Sequence, residues 1–496
     1  AAAAAAATAE AVADTCPAGR PCAHEYSATE PGSATYHWPR ARGHVGSYSR
    51  TNHTLPWDLN ASFAWKWNHP DGQYATITVG VVIDDETNIY LSAQDAFRKF
   101  SPDGRILWEY KLNWPFTYHN PSLMDGLLFA SSNDGFLFAL NMSTGREVWK
   151  RKHAETKGYD TGYVEAYQGL VLAAFDRADQ DGGDARVIAV KAQSGEKLWE
   201  VRVSPRVWNF MALYPGDETV LFMDYTGGVL RLHLENGTQL WHAKSPWETS
   251  MTDGGMVLGP DGTAYACSNV KSGGLGTRGM LRAYRLSDGE VVWSKELDLP
   301  CTSWPVATDK AVVVPVSAFL GVPFVLAMSR WLPWLSAETR GLLHRLSLSL
   351  GTKINWLLPS WLGAPTHPRT PSEILAFEPK TGHILWRYRA PDFDRMDPLG
   401  DEEGLGDRVR VSPDRLICLP AMWASPTMSG DGVTYVARSD GWLYAVRDKN
   451  GDGVVEGPSE VATFWTGGGA LHPGPAFAPG LMAVATCDTL FVFRRP

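Results

Sequence analysis

The chain has 496 residues, a formal net charge of -9, 44% hydrophobic residues and 20% charged residues. That balance is globular, and an acidic excess without a basic stripe excludes nucleic acid as the main partner, because phosphate binding needs clustered Lys and Arg. The 48 Gly, 33 Pro and 21 Trp point to many turns and to large rings buried between elements.

Residues 1–35 read as an Ala-rich N-terminal tail. Its Ala11-Val12-Ala13 has the small-x-small pattern of processing sites, so a targeting remnant and a plain disordered tail both fit. Six cysteines (Cys16, Cys22, Cys267, Cys301, Cys418 and Cys487) allow several disulfide pairings. No CxxC or CxxCH occurs, so neither a zinc ribbon nor a c-type haem is indicated. Glycosylation sequons stand at Asn52, Asn60, Asn141 and Asn236. Together these features favour a non-cytosolic compartment: an organelle lumen such as the thylakoid's, the periplasm or the secreted space.

From residue 36 onward the chain is organised by a repeat. FLFALNMSTGREVW, ending at Trp149, is an alternating strand, a Thr-Gly turn and a second strand closed by Trp. Relatives end at Trp108, Trp199, Trp241, Trp293 and Trp386, and Trp65 and Trp465 extend the series. The short spacings, about 40–50 residues, suit four strands per unit, which is propeller-blade spacing. Gly permits the positive φ of the tight turn, and the strand after it delivers an indole into the gap between blades.

The small residue, the polar-Gly turn and the Trp four residues after the Gly resemble the tryptophan-docking motif of PQQ-like (quinoprotein-type) β-propeller repeats. HWPRARGHVGSYSR (His37 to Arg50) is similar to the segment before the first blade in that family, which holds both quinoprotein dehydrogenases and assembly scaffolds. The resemblance implies an all-β, eight-bladed propeller over residues 36–496. The last segment supplies only three strands, so pairing of Thr489–Arg494 with Ser62–Trp67 is expected to close blade eight and remove the free edges.

Long connections fall on the face formed by the B–C and D–A connections. Blades three and five carry theirs at Asp176–Ala185 and Asn269–Gly279, blade six carries residues 317–371, and an acidic loop spans 391–415. Long loops on one side of a rigid ring are a natural binding surface. The blade-six insertion opens with an apolar run broken by Pro323 and Pro333, too short for a membrane span. A helix capped at Ser336 then places Leu342, Leu346, Leu350 and Ile354 at four-residue spacing. Trp331, Trp334, Trp356 and Trp361 flank it, and Arg330, Arg340, Arg345 and Lys353 stand against the single acid Glu338. Such a segment suits docking to a membrane interface or a protein subunit; the alternative is a hairpin folded back on the ring.

Between strands C and D of blade seven, RDKNGDGVVEGPSE carries Asp448, Asn450, Asp452 and Gly453 at the spacing of a D-x-N-x-D-G calcium loop. Glu456 or Glu460 would replace the absent twelfth-position acid. An Asx-rich turn without metal is the alternative. The resemblance also raises an enzyme reading, a PQQ-dependent alcohol dehydrogenase, in which Glu165, Asn209 and Asp253 would line a central cofactor site. The adjacent Cys-Cys pair typical of many of these enzymes is absent, and no Ser/His/Asp or phosphate-cradling motif stands out. The expectation is therefore a noncatalytic protein-binding scaffold: an accessory or assembly subunit of a membrane-associated complex, with calcium as its one candidate cofactor and without a quinone. A secreted carbohydrate- or surface-binding module is the third reading.

Overall fold

The computed structural model describes residues 36–44, 49–70, 79–93, 95–112, 120–132, 134–155, 163–175, 185–214, 218–245, 255–259, 262–270, 278–317, 334, 336, 339, 371–393, 399, 423–469 and 474–495. These residues form eight four-stranded antiparallel sheets. Blade two is typical: strands A to D are Ser122–Met124, Leu127–Ser131, Phe136–Asn141 and Glu147–Lys152. The first strands of neighbouring blades touch around a common axis, and strand D forms the rim. The chain is an eight-bladed β-propeller. A–B and C–D turns define what we term the lower face; B–C and D–A connections define the upper face.

The ring closes through the two ends of the described chain. Phe63–Asn68 pairs with Thr489–Arg494, with Phe63 opposite Phe493 and Asn68 opposite Thr489. The closing strand starts one residue later than its expected beginning, because Ser62 ends a one-turn helix, Leu59–Ser62. That helix is capped by Asp58, whose side chain accepts from the amides of Asn60 and Ala61.

Six of the blades, the eighth and the first to fifth, are each locked to the next by an indole. Trp65, Trp108, Trp149, Trp199, Trp241 and Trp293 donate Nε1–H to the carbonyls of Pro102, Met142, Ala192, Leu234, Leu286 and Pro379, all at 2.7–2.9 Å. The ring of each lies flat on the turn glycine of the following blade. A Cβ at Gly195 would stand 2.5 Å from Trp149, and one at Gly289 would stand 2.6 Å from Trp241. The repeat glycine therefore serves twice, supplying positive φ and leaving room for the neighbouring indole.

The residue before each of these Trp, and before Trp386 in blade six, bulges out of register, as between Ala139 and Leu140 opposite Trp149 and Glu147. The bulged positions Leu107, Val148, Leu198, Leu240, Val292 and Leu385 are 40–53% exposed. Such bulges twist an edge strand away from pairing.

Blade seven departs from the repeat, and the place given to Trp465 requires correction. Ala462 stands opposite Ala445, where Trp149 stands opposite Ala139 in blade two; Trp465 lies at the far end of the strand, opposite Trp442. Trp465 is 49% exposed and meets Trp442 at 4.9 Å with the rings tilted by 58°, instead of docking on a glycine of the next blade. The reason is the ring closure. Blade eight has no C–D turn, since its strand D comes from the other end of the chain, and so it offers no glycine for an indole to meet.

Candidate functional site

The inner rim of the ring is occupied by the chain itself. Residues 36–44 and 49–53 form the two arms of a hairpin that enters from the lower face, turns at Arg42 and Gly43 (φ 66° and 92°) and returns, Ser49 N donating to Arg42 O. On the way in, the Tyr36 hydroxyl accepts from Gly126 N at 2.9 Å, in the A–B turn of blade two. Trp38 pairs with Ile83 of blade one, and Leu123 N donates to Pro39 O. Arg40 Nη2 donates to Ala166 O of blade three at 2.7 Å. Near the tip, Arg42 Nε donates to Ser49 Oγ at 2.8 Å, its Nη2 reaches Pro305 O, and its guanidinium stacks on Trp304 of blade six at 5.3 Å. Returning, Arg50 bridges Met428 of blade seven. One short hairpin thus grips the inner rims of five blades.

Two guanidinium groups, Arg40 and Arg42, are buried at 1% exposure each. Glu165, on the inner strand of blade three, is equally buried, with Oε2 3.5 Å from Arg40 Nε. Burial pushes the Arg42 pKa well below the usual guanidinium value. Three histidines belong to the same hairpin. His37 and His53 meet edge to face at 5.9 Å. Burial lowers the pKa of both. His44 is depressed to about 4, by burial first and then by Arg40 and the other two histidines.

Of the three residues named for the enzyme reading, only Glu165 can be placed, and it faces the hairpin's arginine. The Asn209 side chain and Asp253 lie outside the described residues. Sequence reasoning noticed the His37–Arg50 segment but missed its insertion into the axis.

On the upper face, both large departures from the repeat are rooted on Arg438. This residue sits in the B–C turn of blade seven at 2% exposure. Its Nη1 donates to Ser372 Oγ, just after the blade-six insertion, and to Pro391 O, at the start of the acidic loop, both at 2.7 Å. The guanidinium also pairs with Asp440 and faces the rings of Phe393, Trp423 and Tyr444 at 6.0, 5.2 and 5.4 Å. Further along the acidic loop, Leu399 N donates to Ser439 O.

Within the insertion, Trp334 is 75% exposed, and Ser336 Oγ accepts from Thr339 N at 3.1 Å, the bond expected of an N-cap. Trp331, Leu342, Leu346, Leu350, Ile354, Trp356 and Trp361 lie outside the described residues. Among the described residues, no helix is long and apolar enough to cross a membrane.

The blade-seven loop brings its five named residues together, but around backbone amides. Asp448 accepts from Gly451 N and Gly453 N, Asn450 Oδ1 from Asp452 N, and Asp452 Oδ1 from Val454 N. Glu460, 2% exposed, accepts from the amides of Lys449, Asn450 and Glu456 at 2.9–3.1 Å. Glu456 contributes that amide. Among the described residues, no three His, Cys, Asp or Glu side chains are arranged to hold a metal ion. The loop also pairs with its neighbour: Arg387 of blade six bridges Val454.

A family profile described as outer membrane protein assembly factor BamB matches residues 41–204 and 161–318, together more than half of the chain. The chain belongs to this family. The BamB protein of Yersinia pestis is 24% identical over 188 residues, covering 36% of this chain and 46% of that protein, so the match spans under half of the relative's length. Among solved structures, BamB of Moraxella catarrhalis superposes with a TM-score of 0.55 at 12% identity, covering 87% of this chain and 99% of that one. The quinohemoprotein alcohol dehydrogenase of Comamonas testosteroni gives 0.59 at 12% identity, covering 96% and 84%. At such identities the structural likeness carries the fold, which BamB-type scaffolds and quinoprotein enzymes share.

Proposed function

We propose that this BamB-family propeller is a noncatalytic, protein-binding scaffold: an accessory or assembly subunit of a membrane-associated, non-cytosolic complex. It docks through the upper face, led by the blade-six insertion and the acidic loop. The observation that carries this reading is the occupied inner rim. Glu165, the one placed candidate for the central cofactor site of the enzyme reading, is buried against Arg40 of the chain's own hairpin, which spans the inner strands there. The match to a family described as an assembly factor supports it further.

The test is native capture of the full chain from a membrane fraction, compared with a version lacking residues 318–370. The reading requires co-purifying protein subunits whose recovery falls at least tenfold on deletion. Undiminished recovery with a folded ring would refute docking through the insertion. Quinone-dependent dye reduction with alcohols by the intact chain would favour the oxidoreductase reading, and retention on a glycan array the carbohydrate-binding one. Calcium at the Asp448 loop is a separate proposal supported by its D-x-N-x-D-G spacing; calorimetric titration of the full chain with calcium tests it, and absence of binding at millimolar calcium would sink it.

A further inference from the structure

Four sequons scattered through the sequence converge on one face of the ring. Asn141 ends strand C of blade two, where its side chain caps the C–D turn, and Asn236 sits in the C–D turn of blade four. Asn52 lies against the A–B turn of blade seven, where a Cβ at Gly430 would meet the Asn52 carbonyl oxygen at 2.5 Å. Asn60 is in the Leu59–Ser62 helix that feeds the lower end of strand D in blade eight. A–B and C–D turns are the lower face, so all four asparagines stand opposite the long loops. Asn52, Asn60 and Asn236 are exposed and Asn141 is half-buried.

The side-chain chemistry fits modification. Asn141 uses only its oxygen, which accepts from Ser143 N, Thr144 N and Thr144 Oγ1 at 2.9–3.1 Å. Asn236 likewise accepts from Thr238 N with Oδ1 at 2.9 Å. In both, Nδ2, the atom that carries an N-linked glycan, donates to no group among the described residues, so attaching a sugar there costs no internal hydrogen bond. An independent observation points to the compartment. Cys267 and Cys301 are joined in a disulfide, and Cys487 is disulfide-bonded to a residue outside the described ones. Such bonds persist in oxidising compartments, where N-glycosylation also takes place in eukaryotic cells.

We infer that the lower face is a glycosylated, solvent-facing surface bearing N-linked glycans at Asn52, Asn60, Asn141 and Asn236. Bulky, hydrated glycans at those points exclude a protein partner from that side and leave the upper face for docking. The modification itself stands apart from the docking proposal.

The test uses the full-length protein purified from its own organism. Intact mass is measured before and after peptide:N-glycosidase F, and the released sites are mapped as Asn-to-Asp conversions in heavy-oxygen water. The expected result is a mass decrease with conversion at the three exposed asparagines at least. An unchanged mass with unmodified peptides at all four positions overturns the inference, as does modification confined to a single site.

Discussion

Arg40 Nε lies 3.5 Å from Glu165 Oε2, with each side chain 1% exposed. Removing one partner of a buried pair strands a charge, whereas removing both does not. Arg40→Met is therefore expected to destabilise the fold by about 3–5 kcal/mol, and Arg40→Met with Glu165→Met by less than either single change. Thermal or denaturant unfolding of the three variants provides the comparison; additive losses would mean that the pair is not coupled.

Acid should loosen the axial hairpin. His37, His44 and His53 have folded-state pKa values below the ordinary 6.5, chiefly because they are partly withdrawn from water, so the unfolded chain takes up protons before the folded one does. Their contribution is fully present above pH 6.5 and is lost as pH falls towards about 4, where His44 titrates. Asp84 and Asp85 face His37 and hold this loss in check, while Arg40 adds to it at His44. Melting temperature followed from pH 7.5 to 4.5 is expected to fall, and His44→Gln with His53→Gln to flatten the profile.

The docking glycines are expected to be far less tolerant than other turn glycines. Gly195→Ala places a Cβ 2.5 Å from the Trp149 ring at φ 68°, combining overpacking with backbone strain at a cost of about 2–4 kcal/mol. Gly432→Ala, at φ 80° with nothing within 4 Å, incurs the strain alone, about 1 kcal/mol. Urea midpoints separate the two, and equal midpoints would remove the indole contact from the explanation.

Glu460 closes the blade-seven loop by accepting three amides, the Glu456 amide foremost among the causes that hold its pKa below the ordinary value. Glu460→Ala leaves those donors without their acceptor and should lower the melting temperature by several degrees, with Glu460→Gln in between. The depressed pKa gives this loop stability above about pH 4.3, lost as pH falls further. A melt of Glu460→Ala that matches the parent would show that the loop is held mainly by its bridge to Arg387.

Arg438→Met should release the bases of both upper-face excursions at once, since Ser372 and Pro391 bond the same guanidinium nitrogen. Limited proteolysis is expected to accelerate within 318–370 and 394–422 together. Acceleration in one segment alone would separate their roots.

The blades were legible because the repeat is written in local chemistry: a glycine that must adopt positive φ, and an indole whose distance from it is set by one hairpin. The same habit misled at Trp465, where the sequence shows a tryptophan at the end of a strand but not the register, and Ala462 takes the repeat position. The axial hairpin was not legible as a plug. Its partners are backbone atoms such as Ile83, Ala166 and Pro305, and main-chain acceptors leave no residue-type signal. Trp38, Arg40 and Arg42 within five residues are the one hint, since three large groups in a row need a deep place to sit. Arg438 escaped notice for a related reason, its three aromatic neighbours being scattered in sequence.

Closure of the ring has a consequence for manufacture. The Thr489 hydroxyl meets the Asn68 side chain across 421 residues of chain, so the blade that Phe63–Asn68 completes must wait until that whole stretch has left the ribosome. Throughout synthesis the Phe63–Asn68 strand waits with an unpaired edge, and contacts of such long range form slowly. A chain that stops short of Thr489 therefore leaves Phe63–Asn68 and Leu481–Ala485 without the strand that pairs with both, which adds unprotected edges and makes truncated products adhesive.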